Sequence, residues 1–324
     1  MTFLERFRSW FGVPAKPRKE PAAWVPDSGR PDLFDPALAH YSRGFRKGDP
    51  ALPQELLESW HAVHDRAIRD VAVAIAQSPA AEHVVLRGGY ALRLWFGASS
   101  RRARDLDFVV ATREWDASGQ PAITLLERIT LAVNGIASTE FAFVPEATTL
   151  DDIWTYDRVE GRRLTFRYQP ARPDLHVHWG HVQVDVVFGE PLGDPVTRTA
   201  LDAHSGAALN VASPRESLAW KLYWLWSDIH CQGKDLYDAV LLAERAEPGS
   251  LVGLTGLLML ADSVGQCPII KGPVVLPALL ADLRRLDLRG EWGVFEREYP
   301  DLAAPGVEVL LSRLLVALER GTVV

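Results

Sequence analysis

Cysteine is almost missing from this chain: 324 residues hold only Cys231 and Cys267, far apart and without partner ligands at zinc spacing. That excludes a disulfide framework and fits a reducing cytoplasm. Long apolar runs are missing too. No stretch approaches the roughly 18 residues of a membrane span. Met1 to Gly12 mixes Phe3, Leu4, Phe7, Trp10 and Phe11 with Glu5, Arg6 and Arg8, so the sequence predicts neither a spanning helix nor a signal peptide. A surplus of positive charge is also absent. The net charge of −7 argues against a protein that coats itself in nucleic acid, because such binding is driven by phosphate neutralisation. Finally, there is no internal repeat, no third glycine for a dinucleotide fingerprint and no P-loop lysine.

What is present points to a core. With 48% hydrophobic and 24% charged residues, the chain can bury a sizeable interior and is long enough for two domains. Residues 13 to 54 are rich in Pro, Gly and charge and read as a surface arm or linker. From Glu55 the pattern changes: Leu56, Trp60, Val63, Ala67, Val71 and Ile75 recur every three or four positions, which predicts a helix with one buried face ending before Ser78-Pro79.

The organising stretch is Val84 to Val110. A short apolar strand leads to Gly88-Gly89, a helical segment from Tyr90 to Phe96, an Arg-rich loop, and then Asp105-Leu106-Asp107-Phe108-Val109-Val110. Residues two apart on a strand share a face, so Asp105 and Asp107 point the same way. Two unit charges roughly 4 Å apart repel by about 4 kcal/mol at an effective dielectric of about 20, and the pair therefore predicts a bound cation, with magnesium the expected one. Gly88-Gly89 leaves amide N–H groups uncovered at a helix start, which suits a phosphate.

Downstream, the sequence predicts a helix from about Ala122 to Val133, a strand over Ser138 to Val144 and a hairpin turning at Glu160-Gly161. Next comes a strand in which Val182, Val184 and Val186 alternate with Gln183 and Asp185, burying one face and offering Asp185 on the other. Beside Asp105 and Asp107, Asp185 would complete a magnesium site. His176 and His178 share a face, but no further ligand stands at a recognisable spacing. Helices follow. Ser213-Pro214-Arg215-Glu216 has capping-box form, Lys221 lies at the edge of the Leu218, Leu222, Leu225 and Ile229 stripe, and Asp235 and Asp238 sit three apart on the next helix. Arg87, Arg93, Arg101, Arg102 and Arg104 crowd the central stretch, and Arg158, Arg162, Arg163 and Arg167 flank a later turn; each group is either a local basic patch or a solvated loop rim.

In order, Gly88-Gly89 with Arg104-Asp105-Leu106-Asp107, Val184-Asp185-Val186, Glu216 to Lys221, and Lys234-Asp235-Leu236-Tyr237-Asp238 resemble the motifs of the AbiEii/AbiGii toxin branch of DNA polymerase β-like nucleotidyltransferases, to which the MenT toxins also belong. The resemblance runs from Glu55 to about Glu244. It implies an α+β fold, a small mixed twisted sheet flanked by helices followed by a helical C-terminal domain. The expected divisions are an arm at 1–54, a catalytic domain at 55–200 and a helical domain at 201–324 completing the active site. It implies a magnesium-dependent transfer of NMP from an NTP to an acceptor hydroxyl. Asp105, Asp107 and Asp185 would bind metal, Gly88 and Gly89 would cradle phosphate, Lys221 would meet the triphosphate, and Asp235 would serve the nucleotide or the scaffold. The implied acceptor is RNA, tRNA above all, and the implied partner an antitoxin; no membrane is involved. The alternatives are a small-molecule or protein acceptor, or a silent binding protein of a defence operon.

Overall fold

The computed structural model describes residues 32–35, 45–50, 52–155, 158–172, 179–202, 205–228, 231–266, 270, 272, 274–286 and 288–322. Most of the predicted arm, and with it His176, His178, Ile229 and Cys267, lies outside the described residues. The chain forms two compact units, each drawn from several segments. One comprises residues 1–90, 102–189 and 198–211; the other comprises 91–101, 190–197 and 212–324.

The first unit is built on a mixed sheet of eight strands. Two short strands, β1 (Asp32–Phe34) and β2 (Phe45–Lys47), pair separately. The sheet contains β3 (Val84–Arg87), β4 (Asp105–Val110), β5 (Phe141–Phe143), β6 (Thr149–Thr155), β7 (Val159–Pro170), β8 (Gly180–Val187), β9 (Thr197–Ala200) and β10 (Ala208–Val211). Their order is β5-β7-β8-β4-β3-β10-β9, with β6 on β7. β4 lies centrally, antiparallel to β3 and parallel to β8.

Alternation gives the sheet two different faces. On one, Leu106 and Phe108 align across the strands with Val184, Val186, Leu164 and Leu86, all buried. Helix α1 (Gln54–Ala76) packs on this side, joined by the contact between His64 and the Tyr168 hydroxyl, 3.1 Å. The predicted stripe forms as expected: Trp60, Val63, Ala67, Val71 and Ile75 are buried, whereas Leu56 is exposed. Each such side chain taken from water stabilises by about 1.5–3 kcal/mol. Helix α3 (Gln120–Asn134) lies beside α1, and α2 (Gly88–Phe96) follows β3 directly.

Two local expectations are corrected. The hairpin of β6 and β7 reverses between Thr155 and Val159, not at Glu160-Gly161. Gly161 is an interior strand residue, where a Cβ would press on Ile153 Cγ1 at 2.9 Å and the Val186 carbonyl at 3.1 Å; strand packing, not a turn, asks for glycine there. Nor does β8 leave one face open. Gln183 and Asp185 are buried along with the valines, as suits a strand in the interior of the sheet.

The second unit is helical. Helices α4 (Pro214–Ser227) and α5 (Gly233–Glu244) pack together; α6 (Leu254–Gly265) and α7 (Leu276–Leu283) lie on α4; α8 (Arg289–Glu298) and α10 (Val307–Thr322) lie on α5, and α9 (Pro300–Ala303) adjoins α8. Gly233 permits the close approach of α8, since a Cβ there would meet Phe295 Cβ at 2.7 Å. No helix among the described residues is long and apolar enough to cross a membrane.

Candidate active site

The other face of the first unit's sheet carries a row of charge. Reading across the strands, Arg87, Asp107, Asp185, Arg163 and Asp151 are successive register partners on β3, β4, β8, β7 and β6. Partners directly opposite one another project to one side, so these five groups share the face. Asp105 lies one pleat along the same face, opposite Gln183. Asp105 and Asp107 are half-buried, while Arg87, Asp151, Arg163 and Asp185 are buried.

Gly88 belongs to this site for a steric reason. Its φ is +72°, a conformation that glycine adopts without strain, and a Cβ at this position would collide with the Asp107 carboxylate. The Gly88 backbone at the end of β3 therefore lies against Asp107, and the helix start expected to receive phosphate begins beside the carboxylate expected to receive the metal.

Asp185 is where the expectation changes. It stands next to Asp107, but its oxygens accept hydrogen bonds from Arg163 Nε at 2.8 Å and from a terminal Arg163 nitrogen at 2.7 Å. The other terminal nitrogen donates to Asp35 at 2.6 Å. Burial pushes Asp185 above the ordinary carboxylate range against the pull of Arg163, with Asp105 and Asp35 adding to the rise. Arg163, read from sequence as part of a basic patch or a loop rim, is an interior residue, and so is Arg162. Among the described residues, no three or more His, Cys, Asp or Glu side chains gather as a metal-binding group. Of the three expected metal carboxylates, Asp185 is engaged by Arg163, and Asp105 and Asp107 are half-buried beside it. The pair still suits magnesium, which commonly takes one or two carboxylates and fills its remaining positions with phosphate oxygens and water.

A second charge cluster lies wholly within the helical unit. Lys221 Nζ donates to Asp235 at 2.7 Å and pairs with Asp238 at 3.1 Å, while Arg101 makes three hydrogen bonds of 3.0–3.1 Å to Asp238. All four side chains are buried. Burial works against the charge on Lys221, but Asp235 and Asp238 outweigh it and raise its pKa; burial likewise opposes the charge of Asp238, and Arg101 with Lys221 pulls it down. Lys221 is therefore an interior ammonium, not an edge lysine, and it also lies 4.7 Å from the Trp224 ring centre. The Tyr237 hydroxyl donates to the Ser99 carbonyl, so α5 holds the 97–101 segment at two points.

The arginine groups divide, with Arg93 and Arg158 exposed. Arg87 and Arg101 are interior, and Arg104 pairs with Asp49 at 2.9 Å. Glu216 also departs from its expected reach toward the N-cap amide. Ser213 does cap Glu216 N–H at 3.0 Å, but the Glu216 carboxylate accepts from the backbone N–H groups of Gly193 and Asp194 instead.

The comparison that decides the family is with its sequence model. Residues 70–313, well over half of the chain, match the family described as "Nucleotidyl transferase AbiEii toxin, Type IV TA system". The chain belongs to the AbiEii nucleotidyltransferase toxin family. It is accordingly a nucleotidyltransferase, from a family whose members work opposite an antitoxin. No curated protein matches it. A crystal structure of an antigenic nucleotidyltransferase-like protein from Paracoccidioides brasiliensis is similar at 18% identity, covering 80% of this chain and 95% of that one, with a TM-score of 0.39. The AbiEii match contains every residue the sequence nominated, from Gly88 to Asp235, and it excludes Asp35 and Asp49.

Proposed function

We propose that this AbiEii protein transfers a nucleoside monophosphate from an NTP to an acceptor hydroxyl of RNA, the tRNA 3′ end foremost, in a magnesium-dependent reaction that arrests growth unless an antitoxin intervenes. The observation that carries the chemistry is the half-buried Asp105–Asp107 pair on one face of β4, with Asp107 against the Gly88 backbone.

On this reading Asp105 and Asp107 hold the magnesium. That ion, when bound, supplies charge neutralisation for the triphosphate. Gly88 and Gly89 offer backbone amides to phosphate oxygens. Asp185, the register partner of Asp107, helps to activate the attacking hydroxyl. The acceptor oxygen forms a bond to the α-phosphorus as the bond from that phosphorus to the bridging oxygen breaks, and pyrophosphate leaves. From the helical unit, the family pattern supports assigning Lys221 to the triphosphate, with Asp235 holding its ammonium.

The acceptor rests on family membership. Interior Arg87 and Arg101, and the Asp49-bound Arg104, leave less of a basic track than the sequence suggested, which favours a small or protein acceptor as the second reading. The test is to incubate the protein with each labelled NTP, magnesium and total RNA. Label that ribonuclease releases supports RNA; label that resists it supports the second reading; no consumption of any NTP ends the proposal.

A further inference from the structure

Asp35 and Asp49 lie N-terminal to the family match, in a segment whose purpose the sequence left illegible. Each takes an arginine beside an acidic site residue. Asp49 accepts from Arg104, the neighbour of Asp105, and contacts His61 Nε2 at 2.9 Å. Asp35 takes the Arg163 nitrogen that Asp185 leaves. We infer that Asp35 is a working part of the acidic site, a positioning residue that fixes Arg163 and, through it, the carboxylate of Asp185.

Arg163 and Asp185 make a buried ion pair, and Asp35 brings a second carboxylate to the same guanidinium. Asp35, Asp185 and Arg163 are 8%, 6% and 5% exposed, so solvent does little to weaken these contacts. With Nε and one terminal nitrogen on Asp185 and the other terminal nitrogen on Asp35, the guanidinium plane is pinned at opposite ends. A pinned plane holds both Asp185 oxygens in place beside Asp107, the kind of support that outer partners give to acidic site residues. Nothing in the AbiEii match contributes that second anchor, because it comes from outside the matched residues.

The inference rests on the proposed role of Asp185, and the variants separate the two. In the transfer assay, with Mn2+ binding followed by the loss of its free electron-paramagnetic signal, Asp35→Asn is expected to lower kcat about ten- to a hundred-fold and to weaken Mn2+ binding, at little change in KM for the NTP. Asp35→Glu restores most of both, and Asp35→Asn costs little more in an Asp185→Asn background. An Asp35→Asn protein with kcat and Mn2+ affinity within twofold of the parent, beside an inactive Asp185→Asn, overturns the inference. So do independent, multiplying losses in the double variant, the mark of a merely structural role. An Asp185→Asn protein that transfers at the parental rate instead overturns the reading of Asp185 itself.

Discussion

Two charge clusters in this molecule pair a buried arginine with carboxylates but differ in exposure. In the helical unit, Arg101 and Lys221 face Asp235 and Asp238: two cations, two anions, all buried. On the sheet, Arg163 is shared by Asp35 and Asp185, and Asp105 and Asp107 stand half-buried nearby, with Arg87 opposite Asp107. The first cluster is buried throughout, whereas the second includes two half-buried carboxylates, and that difference in exposure sets the two regions apart.

The contrast breaks most sharply at Asp238. Asp238→Asn takes the charged partner from buried Arg101 and one of two from Lys221, and is expected to cost about 3–5 kcal/mol of stability, measured by denaturant titration, whereas Asp105→Asn is expected to leave stability unchanged or raise it. The same logic sets the acid limit. Asp238 and Asp49 both titrate below the ordinary carboxylate range; in each, burial pushes upward but the neighbouring cations and hydrogen bonds prevail. With folded-state pKa values depressed, the unfolded chain binds more protons in acid. Their contribution is present above about pH 4 and is lost as pH falls below it. Thermal melts across pH 2–6 check this, and the Asp238→Asn protein should show a shallower acid slope.

Next in size is Gly88→Ala. A left-handed backbone and a collision with the Asp107 carboxylate should cost about 1–3 kcal/mol and displace the one acidic group that the open site most needs. The smallest effect belongs to a pair outside both clusters. Arg313 and Glu244 join on α10 and α5 with both side chains more than a third exposed, and Arg313→Ala should cost at most about 0.5 kcal/mol in the same titration.

Legibility followed sequence distance. The Asp-x-Asp strand, the Gly-led helix start, the α1 stripe and the C-terminal helices all rest on local spacing and could be read directly. The buried arginines could not. Arg101 meets Asp238 from 137 positions away and Asp35 meets Arg163 from 128, and a lone arginine looks the same in sequence whether it rims a loop or fills an interior. Alternation sets the face of Asp185, but its places opposite Asp107 and Arg163 depend on the β4–β8 and β7–β8 registers, which periodicity within one strand does not set. Glu216 shows the converse: a capping-box spacing was present, yet Gly193 and Asp194 offered its carboxylate two buried amides. Asp35 and Asp49 gave no signal beyond being acidic residues in a Pro- and Gly-rich stretch.

The most direct measurement is labelled-nucleotide transfer by purified Asp107→Ala, with its circular dichroism and melting temperature matched to the parent. The account expects transfer to fall at least about a thousandfold in a protein that remains folded. Transfer at the parental rate by that folded protein would contradict it.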